Sequence, residues 1–176
     1  MPKCRIESCK IGLLTEIMDC RSVTSPEIIG QAMTAMRLRH SLTAVSIAEK
    51  IQVNTSTISR YENGHFTFEQ ADLDMLESYA AACGEDRYSL FNHYLLFRKF
   101  SKQILSDYII KNNITKSDSA KVFGVSKTLA LNWFNKENRC PSMKLWKDKL
   151  KDFTVEWIER NIYVLNFEGG CDIITQ

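Results

Sequence analysis

Glycine and proline are scarce, at seven and three of 176 residues, and there is no low-complexity segment, so helical periodicity runs nearly unpunctuated. No apolar stretch reaches the ~18–20 residues that a membrane span needs. The first residues lack a basic-then-apolar-then-small order, so no secretory signal is expected and a cytoplasmic location is. Walker, GxGxxG, HExxH and GxSxG patterns are all missing, which removes the usual signatures of nucleotide, zinc-protease and serine-hydrolase chemistry. The acidic residues show no pairing of the kind a two-metal nuclease uses. His40, His65 and His93 are scattered and read as surface or packing residues. The six cysteines, at 4, 9, 20, 83, 140 and 171, fit no CxxC or Cys/His zinc spacing. They read as free thiols packed as small hydrophobes, with a redox switch among Cys4, Cys9 and Cys20 as the alternative. No enzyme, metal or cofactor is expected.

What is present is an ordinary globular composition, 44% apolar and 25% charged, with charge unevenly placed. Residues 1–97 hold nine Lys/Arg against twelve Asp/Glu, and residues 98–160 hold fourteen against seven. A basic block of that size suits phosphate contact, although a lysine-rich face can also simply be solvated.

Along the chain, Ile6, Cys9, Leu13, Ile17 and Cys20 form one helical stripe, either a short docking helix or a loosely held arm, within residues 1–24. Ser25-Pro26 reads as an N-cap followed by Pro at the first helical position, opening a helix that runs to about His40. Thr43 caps the next helix, Ala44 to Ile51. Gln52-Val53-Asn54 breaks it, and a helix from Thr55 ends at Gly64. Thr67 and Gln70 resemble a capping box, opening a helix that ends near Gly84. From Arg87 to about Ile109 a wide aromatic face predicts one long amphipathic helix, or two with a break near Phe97–Phe100. That face needs cover from the chain or from a second copy. Pro141 starts a helix carrying Leu145, Trp146 and Leu150, and Trp157 and Ile158 continue the apolar pattern. The segment 162–167 is β-prone, a short strand or a dimer-forming tail within residues 162–176.

The stretch from Thr43 to Gly64 has the residue types that two crossing helices require. Ala48 sits at the close crossing. Ile47, Ile51, Val53, Ile58 and Tyr61 have the spacing of a small shared core. Gln52 occupies a tight turn where Gly tolerates positive φ more easily, and Asn54 is placed to cap the second helix. Thr55, Ser56, Ser59 and Arg60 are left on the outer face. An α-helix fits the major groove; Ser and Thr there bond several bases permissively, while an arginine pairs with guanine or holds a phosphate. His65 is near enough to meet a phosphate.

This segment, about residues 28–84, resembles the Cro/phage-repressor (XRE) type of helix-turn-helix, most strongly in Ile58-Ser-Arg-Tyr-Glu-Asn-Gly64 with Ile47-Ala48 upstream. The resemblance implies double-stranded DNA as partner, a bacterial or phage transcription regulator, a homodimer, and an ion pair between Arg37 of the first helix and Glu62. It places the acids at Glu69–Glu77 and Glu85-Asp86 away from the groove-facing surface. Three departures stand out. Ala44 replaces the Gln that helps contact the backbone, Gln52 replaces the turn Gly, and about three extra residues precede the fourth helix.

A looser second unit follows at about 114–135. Ala120 and Gly124 are spaced as a helix crossing and a tight turn demand. Val125 plugs the core, Ser126 caps, and Trp133 packs back, which leaves Lys127, Thr128 and Asn132 outward with Lys116, Lys121, Lys136 and Arg139 nearby. This unit either contacts DNA, so that one chain spans two adjacent grooves, or serves dimerisation or effector binding. The expected architecture is therefore all-α: a helix-turn-helix domain at 25–86, a long linking helix at 87–112, and a second helical domain at 113–161 with a helix-turn-helix-like unit. The expected DNA-contacting residues are Asn54, Thr55, Ser56, Ser59, Arg60, His65, Lys127, Thr128 and Asn132. The competing reading is a protein-interaction factor, adaptor or antitoxin-like, that uses the same fold to grip a protein partner; the aromatic face at 90–109 motivates it.

Overall fold

Helix boundaries in this chain are written in short polar side chains. In the structure, a computed structural model that describes residues 27–136 and 139–167, every regular element among the described residues is a helix. Glu27–Arg39 forms α1 and Ala44–Lys50 forms α2, which is opened by Thr43 in a reciprocal box with Ser46. Thr55–Glu62 forms α3, capped by Asn54, and Leu73–Ala82 forms α4. Then come α5 (His93–Lys99), α6 (Ser101–Lys111), α7 (Ser119–Phe123), α8 (Lys127–Asn135), α9 (Met143–Lys149) and α10 (Lys151–Phe167). Ser126 and Ser142 cap α8 and α9, each accepting a backbone N–H three residues on. The arm at 1–24, the Ser25-Pro26 helix start and the end of the tail, with Cys4, Cys9, Cys20 and Cys171, lie outside the described residues. Cys83 is a buried free thiol, and burial pushes it up.

Three local expectations change. The Thr67/Gln70 box is present, with Gln70 Oε1 accepting the Thr67 N–H and Thr67 Oγ1 accepting the Gln70 N–H. It closes only the single turn 67–71, and α4 starts later, where Asp72 Oδ1 accepts the N–H groups of Asp74 and Met75. Of the two alternatives for 87–112 the structure has the broken one: residues 87–90 form turns held by Asp86, buried Asn92 accepts the Leu95 N–H as α5 opens, and the helix path is interrupted at Phe100. The β-prone residues 162–167 are helical, not a strand, because they extend a helix already propagating from Lys151; each added residue gains a hydrogen bond without a new nucleation cost, and β propensity is a weak prior against that.

The chain divides between Leu95 and Leu96 into two compact units. In the first, α1 crosses α3 so closely that a Cβ on Gly30 would stand 2.4 Å from the Glu62 carbonyl oxygen and 2.6 Å from that of Tyr61. Ile29, Met33, Ile47, Ile58, Leu76 and Tyr79 fill its centre. In the second, Trp146 donates its indole N–H to buried Thr154 at 3.0 Å, and Trp157 donates to Asp107 at 2.6 Å. The rings of Phe123, Trp133, Tyr108 and Phe153 meet edge-on or tilted. The aromatic face at 90–109 is largely internal: Leu90, Phe91, Tyr94, Leu95, Leu96, Phe97, Ile104 and Leu105 are all buried. None of the described helices is long and apolar enough to cross a membrane.

Candidate nucleic-acid interface

The site is built on the turn between α2 and α3. Ala48, 2% exposed, lets the two helices approach. Gln52 sits at φ 57°, the left-handed conformation that glycine adopts freely, and the chain reverses there through Gln52 N–H to Glu49 O and Val53 N–H to Ala48 O, 3.3 and 3.0 Å. Ile47, Ile58 and Tyr61 of the expected core are buried, and Ile51 and Val53 are half-buried.

Asn54 accepts both the backbone N–H and the hydroxyl proton of Ser56, at 3.1 and 3.0 Å. Its amide hydrogens and the Ser56 oxygen lone pairs are therefore what this corner offers a ligand. Asn54, Ser56 and Arg60 are exposed, and Thr55 and Ser59 are half-buried on the same helix. His65 is exposed just after Gly64, which adopts φ 72° as the helix ends. The Arg60 guanidinium lies 4.9 Å from the centroid of Phe66, and Phe66 stacks on Tyr61 at 4.1 Å. Sequence reasoning missed Phe66: it follows the Gly64 turn, out of register with the helical spacing that identified its neighbours. The stack holds the long arginine side chain in place over the helix end.

What fixes the pose of α3 is a clamp at its last residue. Arg37 Nε and Nη2 each donate to the Glu62 carboxylate at 2.7 Å, and Arg37 Nη1 donates to the Leu42 carbonyl at 3.2 Å. The Tyr79 hydroxyl, from α4, stands 2.9 Å from both Glu62 Oε1 and the Met33 carbonyl. Three helices thus converge on one carboxylate. Its burial pushes the Glu62 carboxyl up, but hydrogen bonds from Arg37 and Tyr79 outweigh that and hold it below the usual range. The same carboxylate raises Arg37, and burial keeps the Tyr79 phenol firmly protonated. Tyr79 was not singled out in the sequence; an aromatic at an ordinary core spacing carries no mark of a buried hydroxyl partner. Several neighbouring acids are occupied: Asp72 caps α4, and Glu85 pairs with His40 at 2.8 Å and Arg39 at 3.2 Å, with the His40 bond lowering its carboxyl.

Residues 34–88 match the family model described as helix-turn-helix. The segment is a helix-turn-helix domain of the Cro/C1 type, from a family of DNA-binding transcription regulators that is not typically enzymatic. No curated protein and no solved structure matches the chain. Within the helix-turn-helix domain α2 is the supporting helix, α3 the outward one, and the Arg37–Glu62 pair closes the frame. The remaining expected contacts, Lys127, Thr128 and Asn132, fall in the second unit on α8: Lys127 and Thr128 are exposed on its first turn and Asn132 is half-buried one turn on. Val125, expected as a core plug there, is half-buried.

Proposed function

We propose that the chain is a sequence-specific double-stranded DNA-binding transcription regulator of bacterial or phage type, with the helix Thr55–Glu62 entering the major groove. The observation that carries this is the outer face of that helix. Ser56 and Arg60 stand exposed on a helix whose other face is buried and whose end is held by a bidentate ion pair. Arg60, braced by Phe66, pairs with guanine O6 and N7 or holds a phosphate. Asn54, Thr55, Ser56 and Ser59 add permissive hydrogen bonds, and His65 meets the backbone. The family of the helix-turn-helix domain supports the same reading. A homodimer, expected from the resemblance, would make the preferred site a palindrome. The protein-interaction alternative has lost its motive, since the aromatic face behind it is mostly interior.

Selection of bound duplexes from a random pool, with light-scattering mass taken on the same preparation, tests this reading. A defined motif is expected. Arg60→Ala should lower affinity for it about tenfold, near the low end of ~1–3 kcal/mol for a bidentate base contact, with Tm unchanged. Equal binding by wild type and Arg60→Ala would remove that residue from the interface.

A further inference from the structure

The turn between α2 and α3 occurs twice. Ala48 and Ala120 are buried crossing residues 72 positions apart, and the same offset recurs through the whole unit. Gln52 and Gly124 are both left-handed, at φ 57° and 68°. The reversing bonds repeat: Gln52 N–H to Glu49 O and Gly124 N–H to Lys121 O are both 3.3 Å, and Val53 N–H to Ala48 O and Val125 N–H to Ala120 O are both 3.0 Å. Asn54 and Ser126 are the caps. Ile58 and Ala130 face inward at 0% exposure, and so do Tyr61 and Trp133 at 4% and 3%. The family match stops at residue 88, so nothing in it assigns a role to the second copy.

Chemically the second outward face differs. Lys127, Thr128 and Leu129 are exposed on the first turn of α8, and Asn135 and Lys136 are exposed at its end. Leu129 is an exposed large apolar side chain, 45% accessible, of the kind that meets a thymine methyl. Residues 114–136 carry four lysines against a single acid, Asp118. That carboxylate takes the Thr115 hydroxyl at 2.6 Å and stands 3.7 Å from Lys121, whose side chain is 87% exposed. We propose that Lys127–Asn135 is a second groove-entering helix, so that the chain reads a two-part DNA site: one part through the spare, polar face of α3, the other through a lysine-rich face that neutralises phosphates and adds an apolar base contact. This rests on the reading of the first unit only in assigning both parts to one duplex.

The test uses the full chain. Duplexes are selected from a random pool by wild type, by Arg60→Ala and by the double variant Lys127→Ala/Asn132→Ala, with Thr128→Ala as a second exposed change should the double variant lower Tm. A two-part motif is expected. The second-unit variant should lose about tenfold in affinity and the definition of one part, with a salt slope about one unit shallower, while Arg60→Ala blurs only the other part. A single-part motif indifferent to both second-unit variants overturns this proposal and leaves the first-unit reading standing. A single-part motif sensitive to the second-unit variants but not to Arg60→Ala overturns the two-part site and the first-unit reading, and leaves Lys127–Asn135 as the groove-entering helix. A chain that retains no duplex at low ionic strength overturns both.

Discussion

Gln52 shows what a single residue costs at a turn. A side chain in the left-handed conformation carries roughly 1–2 kcal/mol of strain, part of which a glycine returns as lost chain entropy. The second unit has Gly124 at the corresponding place. Gln52→Gly should therefore stabilise the first unit by about 0.5–1 kcal/mol, raising Tm by a few degrees without altering duplex affinity. A lower Tm would mean that the glutamine side chain supports the turn by a contact of its own. The turn itself was legible from the sequence because Ile51, Val53 and the Asn54 cap bracket it. Arg60 was legible as an outward residue, but its seat on Phe66 was not, since that contact depends on how the chain leaves Gly64.

At the level of elements, what matters is how α3 is held. The Arg37–Glu62 pair was legible only through the resemblance, because 25 residues separate the partners and no local pattern joins them. Tyr79 and the close approach at Gly30 were not legible at all; both are consequences of the α1–α3–α4 crossing. The lowered Glu62 carboxyl has a stability consequence with a definite sign. Its contribution is fully present above the ordinary glutamate value, about 4.3, and is lost as pH falls through the lower folded value. Glu62→Gln should cost about 2 kcal/mol at neutral pH and flatten the acid limb of Tm against pH, read by circular dichroism. An unchanged acid limb would show that the pair does not bind the helices together. Helix starts are legible at Thr43, Asn54 and Ser126, where the cap directly precedes its helix. The start expected at Thr67 falls later because a genuine box closes a lone turn, and the helix expected from Pro141 begins at Met143 behind Ser142; the strand expected at 162–167 is helix because propagation overrides β propensity.

Across the whole molecule, two helix-turn-helix corners of one backbone geometry carry faces of different chemistry, and the excess of positive charge lies C-terminal to the family match. Composition alone gave that asymmetry, and only the repeated hydrogen bonds gave it a form. The aromatic surplus at 90–109, which the sequence leaves in need of cover, is largely buried, and turns after Asp86 and an irregular residue at Phe100 divide the stretch into shorter helices. The central claim is that Thr55–Glu62 enters a major groove. Dimethyl sulfate attacks guanine N7 there, so methylation protection on the selected duplex tests it most directly. Protected guanines are expected with wild type, and at least one should become reactive with Arg60→Ala at saturating protein. A bound duplex whose guanines all stay reactive, or no binding at low ionic strength, would contradict the account.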